Sequence, residues 1–431
     1  MKAIIYNFIK EQASIIYKLI NSNRIEIVEW FCYPPHGTVS IGDFADVRFN
    51  LEGTAGAGEE IYEELFDAYP VFLDMQQRRY PHYENSLFDL HSEYNVQFSA
   101  RYSFLRSVEC DVVIFGNVPH GGHDHLLYRL AKKLEIPTLI LFQIPVSPRY
   151  FLLTDTESFS ERFFIKPQKS DTINTLPQLE TPIYMREPTS QKKTPVTRSV
   201  KSFIKQIIDP EFYKKKAKEK AYQHALINAI STIPTDKEII YFPLHLQPEM
   251  ATAALGGIYV DQVLAIERLS RRIPENVVIV IKENPKQTSY QRPVLFFERL
   301  KRLDNVCIVP SFLNTFDLIS RSIAVATVTG TVAWEAINMG KPAIVFGNAW
   351  YAQLPGVIIY DEGFDYQELK AIEIPEEDLL AAYNRLIAAS WPGVVQSAYF
   401  GLQPDVEVED NNVSVAESIA YALDVVAENK I

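Results

Sequence analysis

Cysteine is scarce: the chain of 431 residues has three, Cys32, Cys110 and Cys307, far apart in sequence. They cannot frame a disulfide scaffold, and their number suits a reducing compartment. Long hydrophobic runs are missing as well. No apolar stretch approaches the ~18 residues needed to cross a bilayer. The opening MKAIIYNFIKEQ is broken by polar residues too early for a signal peptide. Nor is there an excess of positive charge. Fifty-four acidic residues against 42 basic ones give a formal charge of -12, which argues against nonspecific nucleic-acid binding. What remains, 47% hydrophobic and 22% charged, is ordinary globular composition. The length accommodates roughly two or three domains. The expectation is a soluble, cytoplasmic, multidomain protein.

The first part alternates strand-like and helix-like patterns. Lys2–Phe8 and Ile25–Phe31 read as strands with a helix between them, to about Asn23. Asp111–Val118 reads as a buried strand, Leu126–Leu134 as an amphipathic helix and Thr138–Ile144 as another strand; residues 50–106 read only as helices and loops. A second series follows. Glu238–Pro243, Val277–Lys282, Val306–Val309, Ala324–Thr329 and Pro342–Phe346 read as strands. Gln262–Arg272, Val294–Leu303, Phe316–Arg321 and Val332–Met339 read as helices between them, and Glu376–Ala389 and Val413–Glu428 close the chain. Alternation of this kind implies parallel sheets covered by helices. The fold class is therefore α/β, with two Rossmann-like domains facing across a cleft at the carboxyl ends of the strands.

Between the two series lies a connector rich in Pro, Thr, Ser, Gln and Lys. The division is 1–165 for the first domain, 166–232 for a basic, partly helical linker, and 233–431 for the second domain, with the last helix a candidate to pack back on the first. From Lys192 to Lys220 there are ten basic residues against three acids, Asp209, Glu211 and Glu219. This stretch reads either as a solvated helical connector or as a patch for an anionic membrane surface, with Phe203, Ile204, Ile207, Ile208, Phe212 and Tyr213 supplying apolar contact.

Polar groups cluster where predicted strands end. Thr329-Gly330-Thr331 stands at a strand-to-helix junction, where backbone N–H groups and the helix dipole can hold a phosphate. Glu335, about one turn further on, is placed to accept from ribose hydroxyls. A plain Thr-capped helix explains the same residues without a ligand. Lys282-Glu283-Asn284-Pro285 ends another strand, and His245-Leu246-Gln247-Pro248-Glu249 ends the first strand of the second domain. In the first domain the loop PHGGHDH carries His120, His123 and Asp124. Asp124 reads either as a helix cap or as a carboxylate nucleophile or base, with His120 beside it to orient or protonate. The histidines are too crowded for a single tetrahedral metal site, whose ligands usually come from separated pairs.

Four segments taken together, PHGGHDHLLYRLAKKLEIPTLI, YFPLHLQPEMATAALGGIYVDQ, VVIVIKENP and TVTGTVAWEAINMGKPAIVFGNAWY, resemble the capsule polysaccharide biosynthesis family that includes bacterial β-Kdo transferases. The resemblance implies a GT-B arrangement and a glycosyltransferase that uses a CMP-activated ulosonic acid, with no cofactor and no metal at the cleavage step. It implies CMP binding by the second domain, here through Lys282, Glu283, Asn284, Thr329, Gly330, Thr331 and Glu335. It implies a catalytic carboxylate in the first, here Asp124 with His120. Gln247, Glu249 and His123 are assigned to the donor and acceptor cleft. The acceptor expected is a bacterial surface glycan or glycolipid, reached at the inner face of the cytoplasmic membrane. One departure stands out: the family pattern is Lys-Glu-His-Pro, and Asn284 replaces the histidine, so His245 becomes the candidate for any proton transfer to the leaving group. Attack by Asp124 would give retention, and deprotonation of the acceptor would give inversion; the resemblance favours retention. The competing readings are a GT-B enzyme using CDP-glycerol or a UDP-sugar, and a non-catalytic assembly subunit.

Overall fold

The computed structural model describes residues 1–45, 58–79, 87–145, 148–156, 159, 164–168, 171–176, 210–289, 291–403 and 405–428. Its first sheet contains β1 (Lys2–Tyr6), β2 (Glu26–Cys32), β3 (Val39–Ser40), β4 (Val112–Phe115), β5 (Thr138–Gln143) and β6 (Arg149–Leu153). Its second contains β7 (Glu238–Pro243), β8 (Val277–Lys282), β9 (Val306–Val309), β10 (Ala324–Thr327), β11 (Ala343–Val345) and β12 (Val357–Ile359). The short β13 (Trp391–Pro392) returns to the first sheet. The architecture is the two-unit α/β arrangement expected from the sequence.

In the first sheet the order is β13-β6-β5-β4-β1-β2-β3. β1 to β5 are mutually parallel, while β6 and β13 are antiparallel to their neighbours. β4 and β5 are buried along their whole length, which is why VVIF and TLILFQ show no polar alternation. The second sheet has the order β12-β11-β10-β7-β8-β9 and is parallel throughout. The chain starts at β7, builds outward through β8 and β9, then crosses to the other side of β7 at β10. That reversal opens a crevice beyond the carboxyl ends of β7 and β10.

The domain limits differ from the sequence division. The helix Pro210–Ile227, placed with the linker, packs on the second unit: Tyr222 and Ala225 join its core, with Tyr222 6.0 Å from the ring of Phe297. Glu219 accepts a 2.9 Å hydrogen bond from Ser289 N–H. Beyond the helix Tyr366–Lys370 the chain leaves the second unit. Ala382, Tyr383 and Leu386 of the helix Glu376–Ala389 join the core that runs under the first sheet, and Val415, Ile419 and Leu423 of the helix Val408–Ala427 cover its other face beside the helix Ala13–Asn21. Burial of those apolar faces determines where the tail goes. The same core continues through Trp334, Trp350, Tyr351 and Leu354, so the two units share one apolar seam. The basic stretch 192–209 lies outside the described residues. No helix among the described residues is long and apolar enough to cross a membrane.

Candidate functional site

A cavity of about 390 Å³ occupies the crevice. The second unit contributes His245 and Glu249 after β7, Lys282, Glu283, Asn284 and Lys286 at the end of β8, and Thr315. It also contributes Thr327 to Val332 around the start of the helix Thr331–Asn338 (Val328 aside), with Trp350 nearby. From the first unit come Phe142, Pro145 and Phe159, all apolar. The strand ends converge because β7 and β8 are paired in register as far as Pro243 and Lys282.

The junction after β10 is organised by a histidine. Thr329 N–H donates to His245 Nε2 at 3.3 Å, and Gly330 N–H donates to Thr327 Oγ1 at 3.2 Å. Thr327 Oγ1 in turn lies 2.9 Å from His245 Nε2. Two of the N–H groups expected to hold a phosphate are thus already engaged, and the Thr329 hydroxyl donates to Ala251 O at 2.7 Å. The helix has no side-chain cap, so the N–H groups of Thr331 and Val332 are the ones left to a ligand among the described residues. Gly330 has an ordinary φ, but a Cβ there would lie 2.7 Å from Thr327 Oγ1 and 3.2 Å from the His245 ring. Glycine is required by that close approach.

At the end of β8, Lys282 is buried and donates to Leu313 O at 3.0 Å and to Thr315 Oγ1 at 2.6 Å. Burial pushes its ammonium down to about 8, and the Glu335 carboxylate pulls in the other direction. Asn284 Oδ1 accepts from Lys286 N–H at 3.0 Å, which turns its amide as an acceptor toward its own loop and leaves the NH₂ as donor. Glu283 is committed elsewhere, in a fully buried 2.8 Å ion pair with Arg292. Arg292 also donates to Gln247 Oε1 at 2.7 Å and His245 O at 2.9 Å, tying the ends of β7 and β8 together. Gln247 is buried in the same network, donating to Val260 O and accepting from Gln262 Nε2, and does not line the cavity. His245 is held neutral, its pKa lowered to about 4 by enclosure and then by the Arg292 charge.

Glu335 is likewise outside the lining. The helix Thr331–Asn338 is buried continuously from Val332 to Ile337, and Glu335 is fully enclosed with it. Its carboxylate acts on the cavity through Lys282, whose ammonium it favours.

The first-unit loop is not part of the cavity. Asp124 is the second residue of the helix His123–Lys133, whose cap is Gly122 at φ 83°. Its buried carboxylate accepts from the N–H groups of His120 at 3.3 Å, Gly121 at 2.5 Å and His125 at 2.8 Å. Burial raises its pKa, while the His120 charge and those three donors oppose the rise. His120 Nδ1 lies 2.5 Å from Val118 O, and His123 Nε2 lies 2.7 Å from Tyr6 Oη. The Asp124 carboxylate and the His120 ring are turned onto the loop and the His123 ring onto Tyr6 of β1, while both ring nitrogens of His125 are buried without a hydrogen-bond partner among the described residues. No group of three metal-ligating side chains is assembled among the described residues.

Arg292, Gln262, Thr327 and Lys286 were not singled out from the sequence. Thr327 falls inside the strand Ala324–Thr329 as read from the sequence, and Arg292 in a polar loop well separated in sequence from the groups it joins, so neither carries a local signal.

Fold and site together define an α/β protein of two Rossmann-like units with a donor-rich pocket at the switch point of the second. The model of the family described as capsule polysaccharide biosynthesis protein matches residues 143–391, and the chain belongs to that family. A comparison with the curated proteins finds no match. Among solved structures, the KpsC beta Kdo 2,7 transferase of Thermosulfurimonas dismutans is similar over 89% of this chain and 90% of that one, at 11% identity and a TM-score of 0.35. The KpsC beta Kdo 2,4 transferase of the same organism is similar over 63% and 79%, at 14% identity and a TM-score of 0.30. The UDP-GlcNAc 2-epimerase of Neisseria meningitidis, bound to UDP-GlcNAc, aligns over 100% of both chains at 11% identity and a TM-score of 0.23.

Proposed function

We propose that the protein is a glycosyltransferase that takes an ulosonic acid, Kdo or a related nonulosonic acid, from its CMP-activated donor and passes it to a surface glycan or glycolipid. The observation that carries the reading is the convergence of donors on one cavity: the Lys282 ammonium, the Asn284 amide, and the N–H groups of Thr331 and Val332 at a helix start. Such a set stabilises the charge that develops on a departing CMP phosphate. It supplies by fixed dipoles and a lysine what a metal supplies elsewhere, so the proposal includes no metal. Glu249 brings a carboxylate to the same wall and is the group placed to take a proton from an acceptor hydroxyl. Asp124 holds its own loop, and no chemistry is assigned to it. The exposed lysines of the helix Pro210–Ile227 are proposed to hold the enzyme at the anionic membrane surface where such acceptors are assembled.

The test is calorimetric titration with CMP, CDP-glycerol and UDP-sugars, followed by mass spectrometry of products from CMP-Kdo and CMP-nonulosonates. Binding of CMP, and transfer that survives EDTA, are the expected results. A protein that binds UDP-sugars and ignores CMP has another donor.

A further inference from the structure

The imidazole of His245 sits between a backbone donor and the cavity, and that placement determines its tautomer. Thr329 N–H can only donate, so the nitrogen it meets, Nε2, must accept. Thr327 Oγ1 already accepts from Gly330 N–H, and its own proton is directed to the same Nε2. With Nε2 occupied by two donors, the ring proton of a neutral imidazole belongs on Nδ1. Nδ1 has no protein partner among the described residues, and His245 lines the cavity. The ring cannot turn over without losing the two bonds that hold the start of the helix Thr331–Asn338. Its main chain is fixed too, by Gln262 Oε1 on the N–H at 2.7 Å and by Arg292 on the carbonyl.

We propose that His245 is a fixed, uncharged hydrogen-bond donor, presenting Nδ1–H to the anionic group bound in the cavity, and that it does not pass a proton to the leaving group. This rests on reading the cavity as an anion site, and it replaces the proton-transfer role that the missing family histidine had suggested for His245. The neighbouring charges fit a neutral ring. Arg292 bonds its carbonyl, Lys282 lines the same cavity, Glu283 is neutralised by Arg292, and Glu249 stands on the opposite side of the balance. The low pKa of the ring agrees with this arrangement. In a retaining or an inverting reaction alike, the donor bond then breaks with CMP departing as the phosphate anion. The bonding electrons stay on its oxygen and no proton moves from the ring.

The experiment is NMR of the full chain carrying isotope-labelled histidine nitrogens, with the His245→Gln variant used to assign the signal. The ligand-free wild type is expected to show protonated Nδ1 and bare Nε2, unchanged between about pH 5 and 8. CMP should shift the Nδ1 resonance, and His245→Gln, whose amide oxygen can accept from Thr329 at the Nε2 position but whose NH₂ cannot stand where Nδ1 does, should bind CMP about 10- to 100-fold more weakly. The tautomer is read without ligand, so a wrong choice of nucleotide leaves that arm intact. Inorganic phosphate serves as the probe if CMP does not bind. A proton on Nε2, an imidazolium forming near pH 6, or an Nδ1 signal unmoved by both CMP and phosphate overturns the assignment.

Discussion

Two strand-to-helix turns of this molecule contain nearly the same ingredients and use them differently. After β4, the glycine-containing loop around His120, His123 and Asp124 turns its polar atoms inward. One carboxylate gathers three N–H groups of its own loop, and two rings bond to Val118 O and Tyr6 Oη. After β10, the loop Thr329-Gly330-Thr331 borrows its internal partners from other strands, His245 and Thr327, and so leaves donors facing a cavity. A turn whose carboxylate and backbone donors are spent on one another has few of them left for a ligand. A turn satisfied from behind keeps its outer donors for one.

The sharpest way to break that contrast is at Gly330. A valine there puts a Cβ against the Thr327 hydroxyl and the His245 ring. CMP affinity is expected to fall by about a hundredfold or more, since the ring, its tautomer and the helix start shift together. Titration calorimetry measures it, with circular dichroism to show that the fold persists. Normal binding by Gly330→Val would move the site elsewhere.

The counterpart at the other turn is Asp124→Asn. An amide oxygen in the place of Oδ1 keeps the Gly121 and His125 N–H bonds but its NH₂ faces the His120 N–H, so the loop loses about 1–2 kcal/mol of stability. CMP affinity should not change, and turnover should fall no more than the lost stability explains. A loss of several orders of magnitude in a folded Asn variant that still binds CMP would restore Asp124 as the catalytic carboxylate. In that case mass spectrometry should find a sugar adduct on its peptide when donor alone is supplied. Under the present reading Glu249→Gln shows the large loss instead.

How far these two turns could be told apart in the sequence depends on what each signal reports. The interior parallel strands were legible because strands of a covered sheet are continuous apolar runs, as VVIVIK and TLILFQ show, whereas the short edge strands β3 and β12 were not. β6 and β13 were not, since RYFLL and the two-residue Trp391–Pro392 become strands only by pairing with one another and with β5. At the site, residues at strand ends were legible as a set: His245, Glu249, Lys282, Glu283, Asn284 and Thr329 to Thr331 all line one cavity. Direction was not. Glu335 sits in a helix buried on nearly all sides, so no apolar stripe told its inner face from its outer one. Asp124 sits at a helix start, where binding, capping and loop closure all call for the same residue type.

Lys282 sharpens the comparison through pH. Burial holds its ammonium at about 8, below the ordinary lysine value. The protonated form is the one that attracts phosphate, so CMP affinity is expected to be level between about pH 7 and 8, where the phosphate is a dianion, and to drop about tenfold per pH unit above it. Stability of the ligand-free protein moves the other way. The unfolded chain keeps a proton on this lysine up to its ordinary value, while the folded chain has released it. Over the window from about 8 upward the unfolded state therefore binds more protons, and this group's contribution to stability rises with pH. Lys282→Met should flatten the binding limb. A wild-type affinity that is constant through this range would mean the lysine does not reach the ligand.

The smallest effect expected lies away from both turns, on the helix Pro210–Ile227. Lys214, Lys215 and Lys216 are exposed there, on a helix whose Tyr222 and Ala225 anchor it to the unit that carries the cavity. A basic side chain near an anionic leaflet contributes about 1 kcal/mol before screening, and the contribution fades within a Debye length of about 8 Å at physiological salt. Consecutive residues stand about 100° apart on a helix, so about one of the three meets the leaflet at a time, and neutralising all three as Gln should lower binding to phosphatidylserine-containing vesicles by roughly tenfold at low ionic strength, with less difference as salt is added. The anchoring contacts, through Tyr222, Ala225 and Glu219, do not use these lysines, so CMP affinity and turnover on a soluble acceptor should be those of the wild type. Vesicle sedimentation across a salt series reads the first expectation, and calorimetry with a coupled assay reads the second. Equal binding of the wild type to neutral and anionic vesicles would leave this helix as a connector that happens to be basic. A parallel loss of CMP binding in the triple variant would mean that the lysines act on the cavity and not on a membrane.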